Sequence, residues 1–275
     1  MRWNLQQHGD SFEKQWWPKI KLTIPNYEVF WQKHVAPLTM RVIQEQDIGL
    51  RPSIPKYLAD IATANYGLFI HLAQSHDELE NKSRIVEPIG FYSFYSHLYT
   101  IVDAMVERFL SATKKVLEKY NIITFPKTRQ NERFRVHDKS SLNRDLTKFN
   151  TRLDKYRGLL IHDYPFIFAN GKVPRPEKAK EYNSLEATVK IRQNPSLIVT
   201  DFEEIIPRCK TDLGELEQLL NQIWDVVLKE FDSLPEQYKE DINRITKDDE
   251  AFLGNATFLD VQMHASHSLN ITNKT

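Results

Sequence analysis

The segment LYTIVDAMVERFLSATKKV, residues 98–116, decides the architecture. Its apolar residues Leu98, Val102, Met105, Phe109, Ala112 and Val116 step by 4, 3, 4, 3 and 4, the repeat of one helical face. Phe91, Phe94, Tyr95, Ile101 and Val106 add a second flank, so a helix over about 90–120 is apolar around more than half its circumference. Such a helix belongs at the centre of a bundle. Asn121 stands where a helix-ending residue belongs.

Further helices follow from the same rhythm. Pro55 suits the first turn of a helix running to about Asn81, with Leu58, Ile61, Ala62, Asn65, Leu68, Phe69 and Leu72 in period. Ser140 or Ser141 can cap the next, whose stripe is Leu146, Phe149, Leu153, Tyr156 and Leu160; it must stop near Asp163 or Tyr164, ahead of Pro165. Asp212 with Glu215 reads as an aspartate form of the capping box, opening a helix with Leu213, Leu216, Leu220, Ile223 and Val227 that runs to about Phe231. A shorter helix spans Pro235 to Ile245. Ala187–Ile191 and Leu197–Thr200 can pair as a small hairpin. The fold class expected is therefore all-α: a helical bundle with one small hairpin.

Residues 1–54 read as an aromatic-rich extension or cap with a helix near 26–46. Trp3, Phe12, Trp16, Trp17, Tyr27, Phe30 and Trp31 there are expected to pack inward rather than stack on bases. Residues 55–250 form the helical domain, and 251–275 a weakly patterned tail. His264 and His267 in that tail are too isolated for a metal site, and His71 and His76, five apart, do not share a face.

Composition narrows the class. The 275 residues are 41% hydrophobic with only 8 glycines, which excludes disordered and fibrous proteins. The single cysteine, Cys209, rules out an internal disulfide and a cysteine-based zinc site. No apolar run approaches the roughly 18 residues that cross a bilayer, and the N-terminus lacks a secretory h-region. A cytoplasmic protein with no membrane partner is the expectation. No internal repeat or phosphate-cradling glycine loop occurs, and no cofactor is expected. Net charge is zero, yet residues 127–192 hold 16 Lys/Arg against 8 Asp/Glu, a bias suited to a polyanion.

Inside that basic region stands Tyr156-Arg157-Gly158-Leu159-Leu160-Ile161-His162-Asp163-Tyr164-Pro165. Arginine is a permanent cation matched to phosphate, and histidine exchanges protons near neutral pH. Arg157 and His162 resemble the R-x4-6-H signature of the HEPN superfamily, and with Tyr164 they meet the R-x4-H-x-Y form seen in HEPN toxins. The resemblance covers at most residues 88–231, and the looser pattern recurs at Arg2 and His8 outside helical context.

The resemblance implies a helical homodimer acting as a metal-independent endoribonuclease, a toxin or defence protein, with Arg157 and His162 catalytic. Lys127, Arg129, Arg133, Arg135, Lys172 and Arg175 on the flanking loops are the candidate RNA-binding cations. Tyr164 is the candidate acceptor of a nucleotide from a partner nucleotidyltransferase antitoxin. Gly158 stands where HEPN nucleases usually carry a polar residue, which motivates a second reading as a non-catalytic binding or scaffold module. A purely structural role would pair Arg157 with Asp154 or Asp163 and leave His162 at the helix C-terminus, where a cation is favoured.

Overall fold

The computed structural model describes residues 15–16, 18–20, 22–30, 33–34, 54–122, 140–162, 171–175, 193 and 202–240. Of 54–59, 62, 63, 66, 140, 157–162, 174 and 202 it describes the backbone alone. The class is all-α with one small sheet. In chain order the elements are α1 (Pro25–Phe30), α2 (Ile54–Glu80), α3 (Lys82–Ile85), α4 (Pro88–Thr100), a π-helical segment (Ile101–Val106), α5 (Glu107–Lys119), α6 (Ser140–His162), β1 (Lys172–Pro174), β2 (Phe202–Glu204) and α7 (Ile205–Asp232). Residues 236–240 are also helical. The chain divides into two compact units, one of Met1–Phe69, Met105–Asn143 and Leu220–Thr275, the other of Ile70–Ala104 and Arg144–Leu219.

The first unit is organised by aromatic rings. Phe109 of α5 stacks on Trp224 of α7 with centroids 4.4 Å apart, and Tyr27 meets the Trp224 edge at 5.6 Å. Phe30 packs edge-on against both Phe109 and Phe231. Trp16, Tyr27 and Phe30 are buried, as inward packing of the N-terminal aromatics requires, while Trp3, Phe12, Trp17 and Trp31 lie outside the described residues. The helix expected near 26–46 is described as α1 and as a π-type turn at residues 33–34; its remainder lies outside the described residues. The Tyr27 hydroxyl donates to the Asn65 carbonyl at 2.9 Å, and Asn65 Nδ2 donates to the Ile61 carbonyl one turn back. These two bonds hold the Tyr27 hydroxyl and the Asn65 amide nitrogen to definite partners.

Helix α5 ends as Asn121 foretells. Asn121 has φ 56°, Ile122 N donates to the Leu117 carbonyl at 3.1 Å and Asn121 N to the Glu118 carbonyl at 3.2 Å. This is a Schellman closure, in which a left-handed residue lets two late carbonyls find donors.

The second unit holds the first half of the deciding segment. Phe91, Phe94, Tyr95 and Leu98 of α4 are fully buried, as are Ile101 and Val102 of the π-helical segment. Phe91 and Tyr95 both pack on Tyr156 of α6, at 5.4 and 4.6 Å between centroids. Leu146, Phe149, Leu153 and Tyr156 are all 0% exposed, so α6 docks along the stripe read from its spacing. Leu160 and the capping of α6 by Ser140 lie outside the described side chains.

Asp212 does not open a helix. Helix α7 begins seven residues earlier, at Ile205, with Pro207 in its first turn, where the missing N–H costs nothing. Asp212 is an interior position, and its carboxylate is turned to side chains rather than to free backbone donors. The apolar stripe predicted after it, Leu213 to Val227, is buried.

The sheet pairs β1 with β2 antiparallel, Lys172 opposite Glu204, Val173 opposite Glu203 and Pro174 opposite Phe202. Gly171, at φ 71°, makes the turn that starts β1, and its carbonyl accepts from Ile205 N at 3.1 Å. The strands predicted at 187–191 and 197–200 lie outside the described residues.

Two glycines are held by close approach instead of by φ. A Cβ at Gly90 would collide with the Arg84 backbone carbonyl, whereas one at Gly67 would meet the Met105 thioether. A thioether can turn away; a helix carbonyl cannot. Gly90→Ala is therefore expected to lower stability by about 1–3 kcal/mol in urea unfolding, despite alanine's better helix propensity. Gly67→Ala should change it by clearly less, and equal losses would contradict this account.

Candidate functional site

Helix α6 carries both residues of the Arg-His signature. It is α-helical without interruption from Ser140 through Gly158 to His162. Five residues on such a helix turn through about 140°, so the Arg157 and His162 backbone positions lie on different sides of the axis. Distortion at Gly158, which would bring them together within one chain, is absent from the described backbone. Tyr164, Lys127, Arg129, Arg133 and Arg135 lie outside the described residues. Lys172 stands in β1 opposite Glu204, and Arg175 follows β1 and is exposed.

The turns of α6 just before Arg157 are fastened by a buried polar cluster that sequence reading did not find. Its centre is the Asp212 carboxylate, 0% exposed. Tyr95 Oη donates to Asp212 Oδ2 at 2.6 Å, Arg208 Nε donates to the same oxygen at 2.8 Å, and Arg152 Nη2 donates to Oδ1 at 2.8 Å. Arg152 Nη2 also reaches Glu215 Oε2 at 2.6 Å. Tyr156 Oη donates to Glu203 Oε1 at 3.1 Å, an oxygen 3.5 Å from Arg208 Nη1. Five ionised groups and two tyrosines therefore hold α4, α6, β2 and α7 together within this unit.

Burial dominates the acid–base behaviour of the cluster. It pushes the phenols of Tyr95 and Tyr156 far above their ordinary value, with Arg208 opposing the rise at Tyr156. Burial alone would weaken the Arg208 charge, but Asp212 and its neighbours outweigh it and raise the guanidinium further. Burial likewise raises the Cys209 thiol, which leaves it protonated and a poor nucleophile. The cluster is an ionic clamp between the elements it joins.

Its existence also revises the charge count. Arg152 belongs to the basic stretch 127–192, yet its partners Asp212 and Glu215 come from outside that stretch. Lys172 stands opposite Glu204 in the sheet register. Adjacency along the chain overstates the positive charge left free for a polyanion.

The described histidine side chains of the unit, His71, His76 and His97, are partnered. His76 Nε2 lies 2.8 Å from Glu217 Oε1. His71 Nδ1 lies 3.0 Å from His97 Nδ1, joining α2 to α4. Burial, then His71 and Arg84, lower the His97 pKa to about 4, and burial lowers that of His71. Unfolded His97 would titrate at 6.5. The unfolded chain therefore binds more protons below that value, and stability should fall as pH drops from about 6.5 towards about 4. Thermal unfolding across this window should show a shallower loss for His97→Gln than for the parent chain; parallel curves would refute the assignment.

Comparisons with protein-family models, with curated proteins and with solved structures find no match to this chain. Among the described residues no helix is long and apolar enough to cross a membrane, and no group of three or more His, Cys, Asp or Glu could hold a metal ion.

Proposed function

We propose that this chain is a HEPN-like ribonuclease that cleaves RNA in the cytoplasm without a metal ion, working as a homodimer. The observation that supports this reading is the position of Arg157 and His162 in the last turns of one long helix. The Asp212 clamp and the buried Tyr156 steady that helix immediately upstream. The reaction needs little else. The RNA 2′-OH attacks the adjacent phosphorus, a 2′,3′-cyclic phosphate forms, and the 5′-oxygen leaves. His162 moves the proton, and the Arg157 fork braces the charge that grows on the phosphoryl oxygens. Dependence on the 2′-OH selects RNA over DNA.

The separation of about 140° around α6 argues for two chains. The resemblance implies that the arginine and histidine of two protomers surround one cleft, and in this reading a phosphate there is held by Arg157 of one protomer while His162 of its partner handles the proton. Purified protein incubated with RNA in EDTA should yield fragments ending in cyclic phosphate. Absent or strictly metal-dependent cleavage would overturn the proposal.

One observation favours the second reading, a non-catalytic helical binding module. Helix α6 passes through Gly158 unbroken, at the position where the nuclease pattern carries a polar residue. Growth on overexpression separates the two: the scaffold predicts no toxicity, and toxicity abolished by His162→Ala excludes it.

A further inference from the structure

We infer that the exposed face of α6 is a track for the phosphate backbone of a single-stranded RNA, formed by Arg144, Lys148 and Lys155 and running towards His162. At about 100° per residue, Lys148, Thr151, Lys155 and His162 fall at about +40°, −20°, +20° and 0° from Arg144, a strip about 60° wide. Arg144, Lys148, Thr151 and Lys155 are all exposed, and the His162 backbone continues their line. The buried stripe of Leu146, Phe149, Leu153 and Tyr156 is centred about 160° away, so docking of α6 turns the three cations outward. At about 1.5 Å per residue the line from Arg144 to His162 is about 27 Å long, room for about eight nucleotides of a stacked strand at about 3.4 Å each.

The charge of the strip is uncommitted. Arg152 is taken up by Asp212 and Glu215, whereas Arg144, Lys148 and Lys155 enter no ion pair among the described residues. Asp145 and Asp154, the acidic residues of the same helix, fall at about +100° and −80°, clear of the strip. The chemistry also selects the partner. A line one side chain wide with acidic flanks matches a single backbone. A membrane surface asks for apolar side chains beside the cations, and every exposed side chain described on α6 is polar or charged. Lysine and arginine on phosphates position a strand without reading its bases, so binding along α6 is independent of sequence. That the track delivers RNA to a cleavage site rests on the nuclease reading above; the binding itself does not.

The test is fluorescence anisotropy of a labelled oligouridylate titrated with the full chain carrying His162→Ala, in EDTA and over a range of KCl concentrations. At about −0.7 per phosphate neutralised on a single strand, the three cations should contribute about −2 to the slope of log affinity against log salt. Adding Arg144→Gln, Lys148→Gln and Lys155→Gln together, with circular dichroism confirming the fold, should weaken binding and remove that contribution. Each change alone should make the slope shallower by about 0.7. Lys239→Gln, at an exposed cation outside α6, should leave it unchanged. An unchanged slope in the triple variant, or no binding by the parent chain, would overturn the track even if RNA is cleaved. A slope lost in the triple variant of a chain that cleaves nothing would support the track and reject the nuclease. Binding to phosphatidylserine vesicles that needs the three cations, with RNA binding indifferent to them, would give the strip to a membrane and overturn the proposal.

Discussion

Asp212→Ala is expected to lower the free energy of unfolding by about 3–5 kcal/mol, the usual cost of breaking a buried ion pair by deleting one member. The carboxylate receives three donors, and its removal leaves the buried Tyr95 hydroxyl without its acceptor and deprives two arginines of their shared anion. Arg152 keeps Glu215, and Arg208 keeps the more distant Glu203, so the loss should fall at the lower end of that range. Cutting the exposed pair Lys239–Glu236 by Lys239→Ala sets the contrast, at about 0–1 kcal/mol. Urea unfolding followed by circular dichroism measures both. If the two variants lost similar amounts, the Asp212 cluster would not be the clamp described.

His162→Ala should slow RNA cleavage by about 10²- to 10⁴-fold if His162 moves the proton, the range typical of a positioned general acid or base. Arg157→Ala should also be strongly impaired, with its loss less sensitive to pH, because a guanidinium does not titrate there. Mixing the two inactive variants makes the sharper experiment. A heterodimer in which each site draws arginine from one protomer and histidine from the other contains one intact site. Random exchange puts half the dimers in that state, so activity should return to about a quarter of the parent level. No recovery after subunit exchange is verified would place both residues of a working site on one chain, or reject the nuclease.

The helices were legible because their signal is local. The stripes at Leu98–Val116, Leu146–Tyr156 and Leu213–Val227 each repeat within one segment, and burial follows them almost residue for residue. Met105 is the instructive lapse. It lies on the predicted stripe yet is only half-buried, because residues 101–106 wind as a wider π-type turn and shift the rhythm counted at 3.6 residues. The Asp212 cluster was illegible for another reason. An aspartate three residues before a glutamate, just ahead of an apolar run, has the composition of a helix start. What decides its role are Tyr95 and Arg152, 117 and 60 residues away. The His71–His97 contact spans 26 residues and two helices, beyond any motif spacing. Strands of three residues carry too little pattern to be found at all.

The long reach of the Asp212 bonds bears on the order in which a ribosome delivers the chain. At about 5–20 residues per second, some 3–12 s separate the emergence of Arg152 from that of the carboxylate 60 residues downstream. During that interval α4 and α6 have appeared without α7, so Phe91, Phe94 and Tyr95 have no finished core to enter. A nascent chain stalled or clipped before Asp212 is thus the form of this protein most exposed to aggregation and most dependent on chaperones.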